Sequence, residues 1–116
     1  MKVAGIGFRQ AASLSALYDA LARIGPPDAL ATSLAKAEAE VIRDLARQLG
    51  LPLLGVDVAG IVTETQSPRV VRMHGTGSVA EAAALGALAP GARLIQSRTI
   101  SQCCMATAAM AEGDPR

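Results

Sequence analysis

The sequence predicts a single α/β domain over residues 1–116, with a parallel or mostly parallel sheet covered by helices on both faces. Two observations predict this fold class. Short apolar runs typical of buried strands alternate with amphipathic helical stretches in the order βαβαβ, and right-handed crossovers then place helices on both faces. The length of 116 residues is that of one domain that can bury one core.

The composition excludes several classes of protein. A hydrophobic fraction of 51% with a net charge of +1 indicates a globular chain, neither disordered nor a polybasic nucleic-acid binder. Phe8 and Tyr18 are the only aromatic residues, so bases have no stacking platform and the core must be built from small aliphatic side chains. No apolar run approaches membrane-spanning length and no signal peptide precedes the first strand, so we expect a cytoplasmic protein without a membrane partner.

The two cysteines, Cys103 and Cys104, are neighbours in the sequence. A bridge between neighbours is strained, and the pair lacks the spacing of metal ligands. We therefore expect two small half-buried residues in a reduced protein, with no disulfide framework and no metal site; the alternative is a redox or metal role.

The first unit is a strand, a turn and a helix. Lys2 to Phe8 is a short buried strand whose glycines loosen the backbone toward its end. Ser13 is the expected N-cap of a helix that runs until Gly25 and the two prolines after it. The unit resembles a dinucleotide fingerprint only superficially, because the third glycine and the acidic residue are missing. Nicotinamide binding is therefore the weakest alternative.

The next two strands flank a second helix. Ala29 to Thr32 is a very short candidate strand, after which Lys36 opens an amphipathic helix that Gly50 closes. Leu51 to Val56 is the third strand, and a proline at its entrance is tolerated because the first residue need not donate to the ladder.

The second half of the chain is less regular in pattern. Val58 to Thr63 predicts a short helix, followed by a polar turn at 65–68 and the segment 69–72. A helix is expected from Ser78 to about Leu88, and Ala92 to Gln96 predicts a strand. Met105 to Ala111 is either a strand or a helix, since alanine and methionine favour helix unless tertiary context overrides them.

The stretch from His74 to Leu85 organises the chain. Gly75 and Gly77 allow a tight turn, and strong helix formers follow at once. Ser78 can accept the amide of Glu81 while the Glu81 carboxylate reaches back to the amide of Ser78, which is a capping box. Such a helix start suits an anionic group. The alternative is that these residues only turn the chain and cap the helix.

Polar residues follow the strands at three loops. In an open α/β sheet ligands sit beyond the carboxyl ends of the strands, so we expect these loops to converge on one site. Their cations and amides suit a ligand with several carboxylates or phosphates, unless the two cations are only solvated surface charges. The candidate ligand-binding residues are Gly7, Arg9, Thr32, Lys36, Gly75, Thr76, Gly77 and Ser78.

These residues resemble a known family, the CobE/CbiG C-terminal family of cobalamin biosynthesis. The resemblance covers nearly the whole chain and is carried by Gly5-Ile6-Gly7-Phe8-Arg9, Thr32 with Lys36, Leu49-Gly50-Leu51-Pro52-Leu53, Ser67 with Val70, and Gly75-Thr76-Gly77-Ser78-Val79-Ala80-Glu81-Ala82-Ala83-Ala84-Leu85. It implies a three-layer α/β/α sandwich with a mixed, mostly parallel sheet. Phe8 stands where the family usually has cysteine, and Ala11 where it often has glycine.

The resemblance also implies a function. Short stand-alone members belong to the aerobic vitamin B12 pathway, and corrin precursors carry many carboxylates around an apolar macrocycle. A protein that binds a corrin-ring intermediate and hands it to other cobalamin-pathway enzymes is therefore the first hypothesis, and it requires no cofactor. Fused members are linked to opening the lactone of cobalt-precorrin-5A with release of acetaldehyde. A hydrolase of that type is the alternative, and its candidate general bases are His74 and Glu81.

Overall fold

Five strands form one mixed sheet in the computed structural model, which describes residues 1–63, 66–67, 71 and 77–116. The spatial order is β3-β2-β1-β5-β4. β1 pairs with β2 and β2 with β3 in parallel, whereas β5 runs antiparallel to both β1 and β4, so four of the five strands point the same way. The strands are β1 Lys2–Phe8, β2 Ala29–Ser33, β3 Leu53–Val56, β4 Arg93–Ile100 and β5 Ala106–Glu112.

Helices cover both faces of this sheet. α1 (Leu14–Ala22) and α2 (Glu40–Leu49) share one hydrophobic cluster with Ile6 of β1, while α3 (Val79–Gly86) shares a second cluster with Val3 on the opposite face. The two clusters lie on opposite sides because neighbouring residues of a strand point to opposite faces. The three-layer α/β/α arrangement and the three strands predicted within Lys2–Phe8, Leu51–Val56 and Ala92–Gln96 are thereby confirmed. None of the described helices is long and apolar enough to cross a membrane.

α3 lies unusually close to the central strand. A Cβ atom placed on Gly5 would be 1.8 Å from the carbonyl oxygen of Ala80 and 2.7 Å from the amide nitrogen of Ala84. Only glycine permits this approach, and the helix contributes small buried side chains to the contact. Gly5 of β1 therefore allows α3 to pack against the strand. The sequence had predicted only that the glycines loosen the backbone of this strand.

The helix ends match the sequence signals. Ser13 Oγ accepts the amide of Ala16 at 3.3 Å, and Ser78 Oγ accepts the amide of Glu81 at the same distance. Each bond satisfies an amide that has no partner within its helix. Gly50 ends α2 in the left-handed conformation, with φ 66°. The predicted caps at Ser13 and Ser78 and the predicted stop at Gly50 are confirmed.

Two predicted helices need correction. Lys36 opens only a short 3₁₀ turn, Lys36–Glu38, and α2 begins at Glu40 because Ala39 is extended, with ψ 136°. The helix predicted over 58–63 is absent from those described residues. Asp57 instead accepts the amide of Ala59 at 3.2 Å, and Gly60 adopts φ 80°, which interrupts helical geometry. The turn predicted at 65–68 and the segment 69–72 fall mainly outside the described residues.

The structure also decides between strand and helix for β5 and corrects the predicted bounds of β4 and β3. β5 is a strand despite its alanines, because it lies between β1 and β4 and its backbone completes both ladders. β4 extends past Gln96 to Ile100, with register shifts along its pairing with β5. β3 begins at Leu53, two residues later than predicted, since Pro52 has no amide to donate.

Candidate functional site

The carboxyl edge of the sheet is the edge at which β1, β2 and β3 end, at Phe8, Ser33 and Val56. β4 points the same way, so its end at Ile100 and the start of β5 at Ala106 lie there too. The loops after these strands therefore lie at one edge, as the strand directions require. Of the third predicted loop, 75–78, the structure describes Gly77 and Ser78. The edge also receives the connection between β4 and β5, which the sequence did not indicate.

Arg9 stands at the centre of this edge. Its backbone amide donates to the carbonyl of Met105 at 2.9 Å, which joins the loop after β1 to the start of β5. The residue is exposed, and within the described part of the chain no hydrogen bond or ion pair engages its guanidinium. A guanidinium without an internal partner is available for a bidentate contact with a carboxylate.

Lys36 contacts the aromatic ring of Phe8 at the carboxyl edge. Its Nζ atom stands 5.1 Å from the centroid of the Phe8 ring, and Phe8 immediately precedes Arg9. The Lys36 amide donates to Ser33 Oγ at 3.3 Å, which ties the loop after β2 to the strand. A cation over an aromatic face gains about 0.5–1 kcal/mol at an exposed site, so the contact favours the position of the ammonium group over the Phe8 ring.

An apolar side chain completes the accessible surface. Leu34 follows β2, and 59% of it is exposed. Its amide donates to the carbonyl of Val56 at 3.0 Å, and its Cδ2 atom would lie 3.3 Å from a Cβ placed on Gly55. The carboxyl edge thus offers two cations beside an exposed leucine and a half-buried phenylalanine ring. That combination suits an apolar molecule that carries carboxylates.

The remaining described candidates for ligand binding are buried. Thr32 is fully buried, and its hydroxyl donates to the carbonyl of Ile6 at 2.7 Å, which holds β2 to β1. Gly7 accepts from the hydroxyl of Thr107 at 3.3 Å and touches the start of α3. Gly77 accepts the amide of Ser67 at 2.8 Å, and Ser78 caps α3. Gly75 and Thr76 lie outside the described residues.

Of the two candidate general bases, Glu81 is placed differently from a hydrolytic base. Glu81 is fully buried, and its Oε2 atom accepts the backbone amide of Arg98 in β4 at 2.8 Å. The sequence had predicted that this carboxylate reaches back to the amide of Ser78, and that bond stays a prediction; the contact with Arg98 tethers α3 to β4. His74 lies outside the described residues. Among the described residues, no group of three or more His, Cys, Asp or Glu side chains could hold a metal ion.

The two cysteines differ from the sequence prediction in their exposure. Cys103 and Cys104 are exposed, not half-buried as expected, and both thiols are free. They lie in the connection between β4 and β5, which Met105 joins to Arg9. Recognising their position required knowing that β4 and β5 form a hairpin, and the alanines of β5 concealed that strand.

The glycines of β1 do not form a dinucleotide-type turn. Gly5 and Gly7 both lie within the strand, where each lies against α3 or its neighbour β5. In a phosphate-binding fingerprint the glycines instead form the turn between strand and helix. No observation therefore favours the dinucleotide alternative.

Comparison with known proteins gives a consistent set of relatives. The family model described as Cobalamin synthesis G C-terminus matches residues 2–111. The crystal structure of CobE, a protein from the cobalamin (vitamin B12) biosynthetic pathway, superposes with a TM-score of 0.82 and 29% identity, over 100% of this chain and 92% of CobE. The cobalamin biosynthesis protein chiG from Agrobacterium tumefaciens gives a TM-score of 0.71 and 33% identity, over 97% and 98%. Among curated protein sequences, none matches significantly.

Proposed function

The chain belongs to the Cobalamin synthesis G C-terminus family, and we propose that within cobalamin biosynthesis it binds a polycarboxylate corrin precursor at the carboxyl edge. The observation that carries the proposal is the placement of Arg9. Its exposed guanidinium is not engaged by any described residue. The same edge carries Lys36 over the ring of Phe8, the residue before Arg9, and the exposed Leu34 after β2. Carboxylates of the precursor pair with the cations, and the apolar macrocycle covers the leucine and the ring.

Binding and transfer fit the edge better than catalysis does. Lactone opening needs a general base within hydrogen-bond reach of the reacting water. Glu81 is fully buried and already accepts a backbone amide, so it serves the packing of α3. We therefore favour a protein that holds the precursor and hands it to other enzymes of the pathway. Two exposed free thiols fit a reducing compartment, and we place the protein in the cytoplasm.

The test is an absorbance titration of the purified protein with corrin polycarboxylates. Arg9→Ala removes a charge-assisted hydrogen bond, so we expect the binding free energy to weaken by about 1.5 to 3 kcal/mol. The thermal midpoint should hardly change, because the side chain is exposed and forms no hydrogen bond or ion pair with the described residues. Arg9→Lys keeps the charge but not the bidentate geometry, so its affinity should fall between that of the wild type and that of Arg9→Ala.

Lys2→Ala is the matched control. It removes one positive charge from the opposite end of the same strand, where the residue is equally exposed. Its affinity for the corrin should equal that of the wild type. Equal losses from Arg9→Ala and Lys2→Ala would mean that only net charge matters. Unchanged affinity in Arg9→Ala would remove Arg9 from the site.

A further inference from the structure

The segment Ser101–Met105, here called the thiol loop, carries two consecutive exposed thiols. It joins β4 to β5 at the carboxyl edge and is neither a metal-ligand cluster nor part of the proposed contacts with a corrin. Adjacent exposed thiols can react with each other through a turn of the one peptide that joins them. The thiol loop is therefore the one place in the described chain where two nucleophiles stand together on the surface.

The thiol loop is anchored on both sides of the cysteines. Ser101 is buried, its amide donates to the carbonyl of Ala106 at 2.9 Å, and its Oγ accepts the amide of Ala106 at 3.1 Å. The amide of Gln102 donates to Asp19 Oδ2 of α1 at 2.7 Å. Because the ends are fixed in this way, a change at the cysteines is transmitted to the residues that hold the loop.

Cys103 is the thiol best placed to react first. Its Sγ atom lies 3.4 Å from Ser101 Oγ. Hydrogen bonds from Ser101 and then from the backbone of Met105 lower the pKa of the Cys103 thiol, while burial and the charge of Asp19 oppose the shift. A thiol with a lowered pKa is deprotonated more often at neutral pH, and the thiolate is the form that attacks oxidants.

We propose that Cys103 and Cys104 form a peroxide-sensitive modification site, which closes reversibly into a disulfide between the two neighbours. The Cys103 thiolate attacks one oxygen of hydrogen peroxide, breaks the O–O bond and becomes a sulfenic acid, and the other oxygen leaves as water after taking a proton. The Cys104 thiol then attacks the Cys103 sulfur, which forms the S–S bond and releases a second water. Two thiols lose two electrons and two protons, and one peroxide is reduced to two waters.

The closed form is expected to be readily reduced. A bridge between adjacent residues closes a ring through the intervening peptide, and it departs from the Cα separation that unstrained disulfides adopt. Strained and exposed disulfides have more oxidising potentials than structural ones, and these are the labile, regulatory kind. A cellular thiol pool can therefore reopen the ring, so that the modification is reversible.

Closure of the ring acts on the proposed corrin site through Met105, and this second step rests on the proposed function. Met105 follows Cys104 directly, and its carbonyl accepts the amide of Arg9 at 2.9 Å. Turning the peptide between the cysteines to close the ring displaces that carbonyl, and with it the backbone that positions the Arg9 side chain. We expect the oxidised protein to bind a corrin polycarboxylate about tenfold more weakly, as for the loss of one charge-assisted hydrogen bond.

The disulfide itself is tested without any corrin. The reduced protein is treated with hydrogen peroxide, and the intact mass and the peptide containing the thiol loop are measured. The expected product is a monomer that has lost two hydrogen atoms, recovers its mass with dithiothreitol, and is not formed by Cys103→Ser or Cys104→Ser. A product that carries only added oxygen atoms, or a dimer linked between chains, would overturn the proposal.

The coupling to Arg9 is tested in two ways that separate it from the proposed function. In the ligand-free protein, oxidation should shift the NMR amide signal of Arg9, while that of Lys2 at the other end of β1 stays in place. In the titration, reduced Cys104→Ser should bind the corrin like the wild type, and the oxidised wild type should bind more weakly. An unmoved Arg9 signal refutes the coupling, whereas absence of corrin binding by the reduced wild type refutes the proposed function alone.

Discussion

Gly5→Ala tests the close packing of α3 on the sheet. The added Cβ would lie 1.8 Å from the carbonyl oxygen of Ala80, and real Cβ contacts are essentially never below 3.0 Å. The helix and strand must then separate by roughly 1.2 Å, a gap that forfeits about half of the dispersion energy between facing atoms. Overpacking usually costs about 1–3 kcal/mol, and because backbone lies on both sides here we expect about 4 kcal/mol.

Gly7→Ala is the matched control on the same strand. There the nearest atom to an added Cβ is the hydroxyl oxygen of Thr107, at 2.7 Å, and a side-chain hydroxyl can rotate away. We expect a loss of about 1.5 kcal/mol, mostly from the bond between Thr107 and the Gly7 carbonyl. Denaturant unfolding of both variants gives the two free energies from midpoints and slopes. A Gly5→Ala protein as stable as Gly7→Ala would refute the contact between α3 and β1.

Three further outcomes are expected. Glu81→Ala should lower the free energy of unfolding by about 3 kcal/mol, because it removes a buried carboxylate and leaves the part-buried amide of Arg98 without this acceptor. Glu81→Gln keeps an acceptor and should cost about 1 kcal/mol, and equal costs in denaturant unfolding would contradict this. Ser78→Ala should cost about 1 kcal/mol through loss of the N-cap, and an unchanged midpoint would mean that α3 starts elsewhere. The hydrogen bond from the Gln102 amide lowers the pKa of Asp19. The stability that this bond contributes is therefore present above the pKa of Asp19 in the unfolded chain, and it is lost as the pH falls through the lower pKa of the folded protein. The NMR shift of the Gln102 amide should titrate with a midpoint below 3.8.

Local signals in the sequence predicted the elements that local interactions decide. Ser13, Gly50 and Ser78 each act within one turn of a helix, so their types and spacing suffice to place helix ends. The short apolar runs likewise predicted β1 and β2, because parallel strands inside a sheet are buried on both faces. The run at β3 was also predicted, although that edge strand is only partly buried. The placement of the loops after β1 and β2 at one edge followed from the general rule that loops meet at the carboxyl ends of parallel strands.

Features that depend on distant partners were not predictable in this way. The alanines of β5 favour helix by propensity, and only pairing with β1 and β4 makes them a strand. The role of Gly5 depends on α3, which lies more than seventy residues away in the chain. The exposure of Cys103 and the burial of Thr32 also depend on the assembled sheet, so neither could be predicted from the residue type and its neighbours in the sequence.

The central claim is that a corrin precursor binds at the carboxyl edge, and NMR mapping tests it most directly. Adding a corrin polycarboxylate to the labelled protein should shift the amide signals of Arg9, Leu34 and Lys36. Signals at the opposite edge, such as those of Lys2 and Gly113, should stay in place, and a fully amidated corrin should cause much smaller shifts because it offers no charge to the cations. Shifts confined to the opposite edge, or equal shifts with both corrins, would contradict the account.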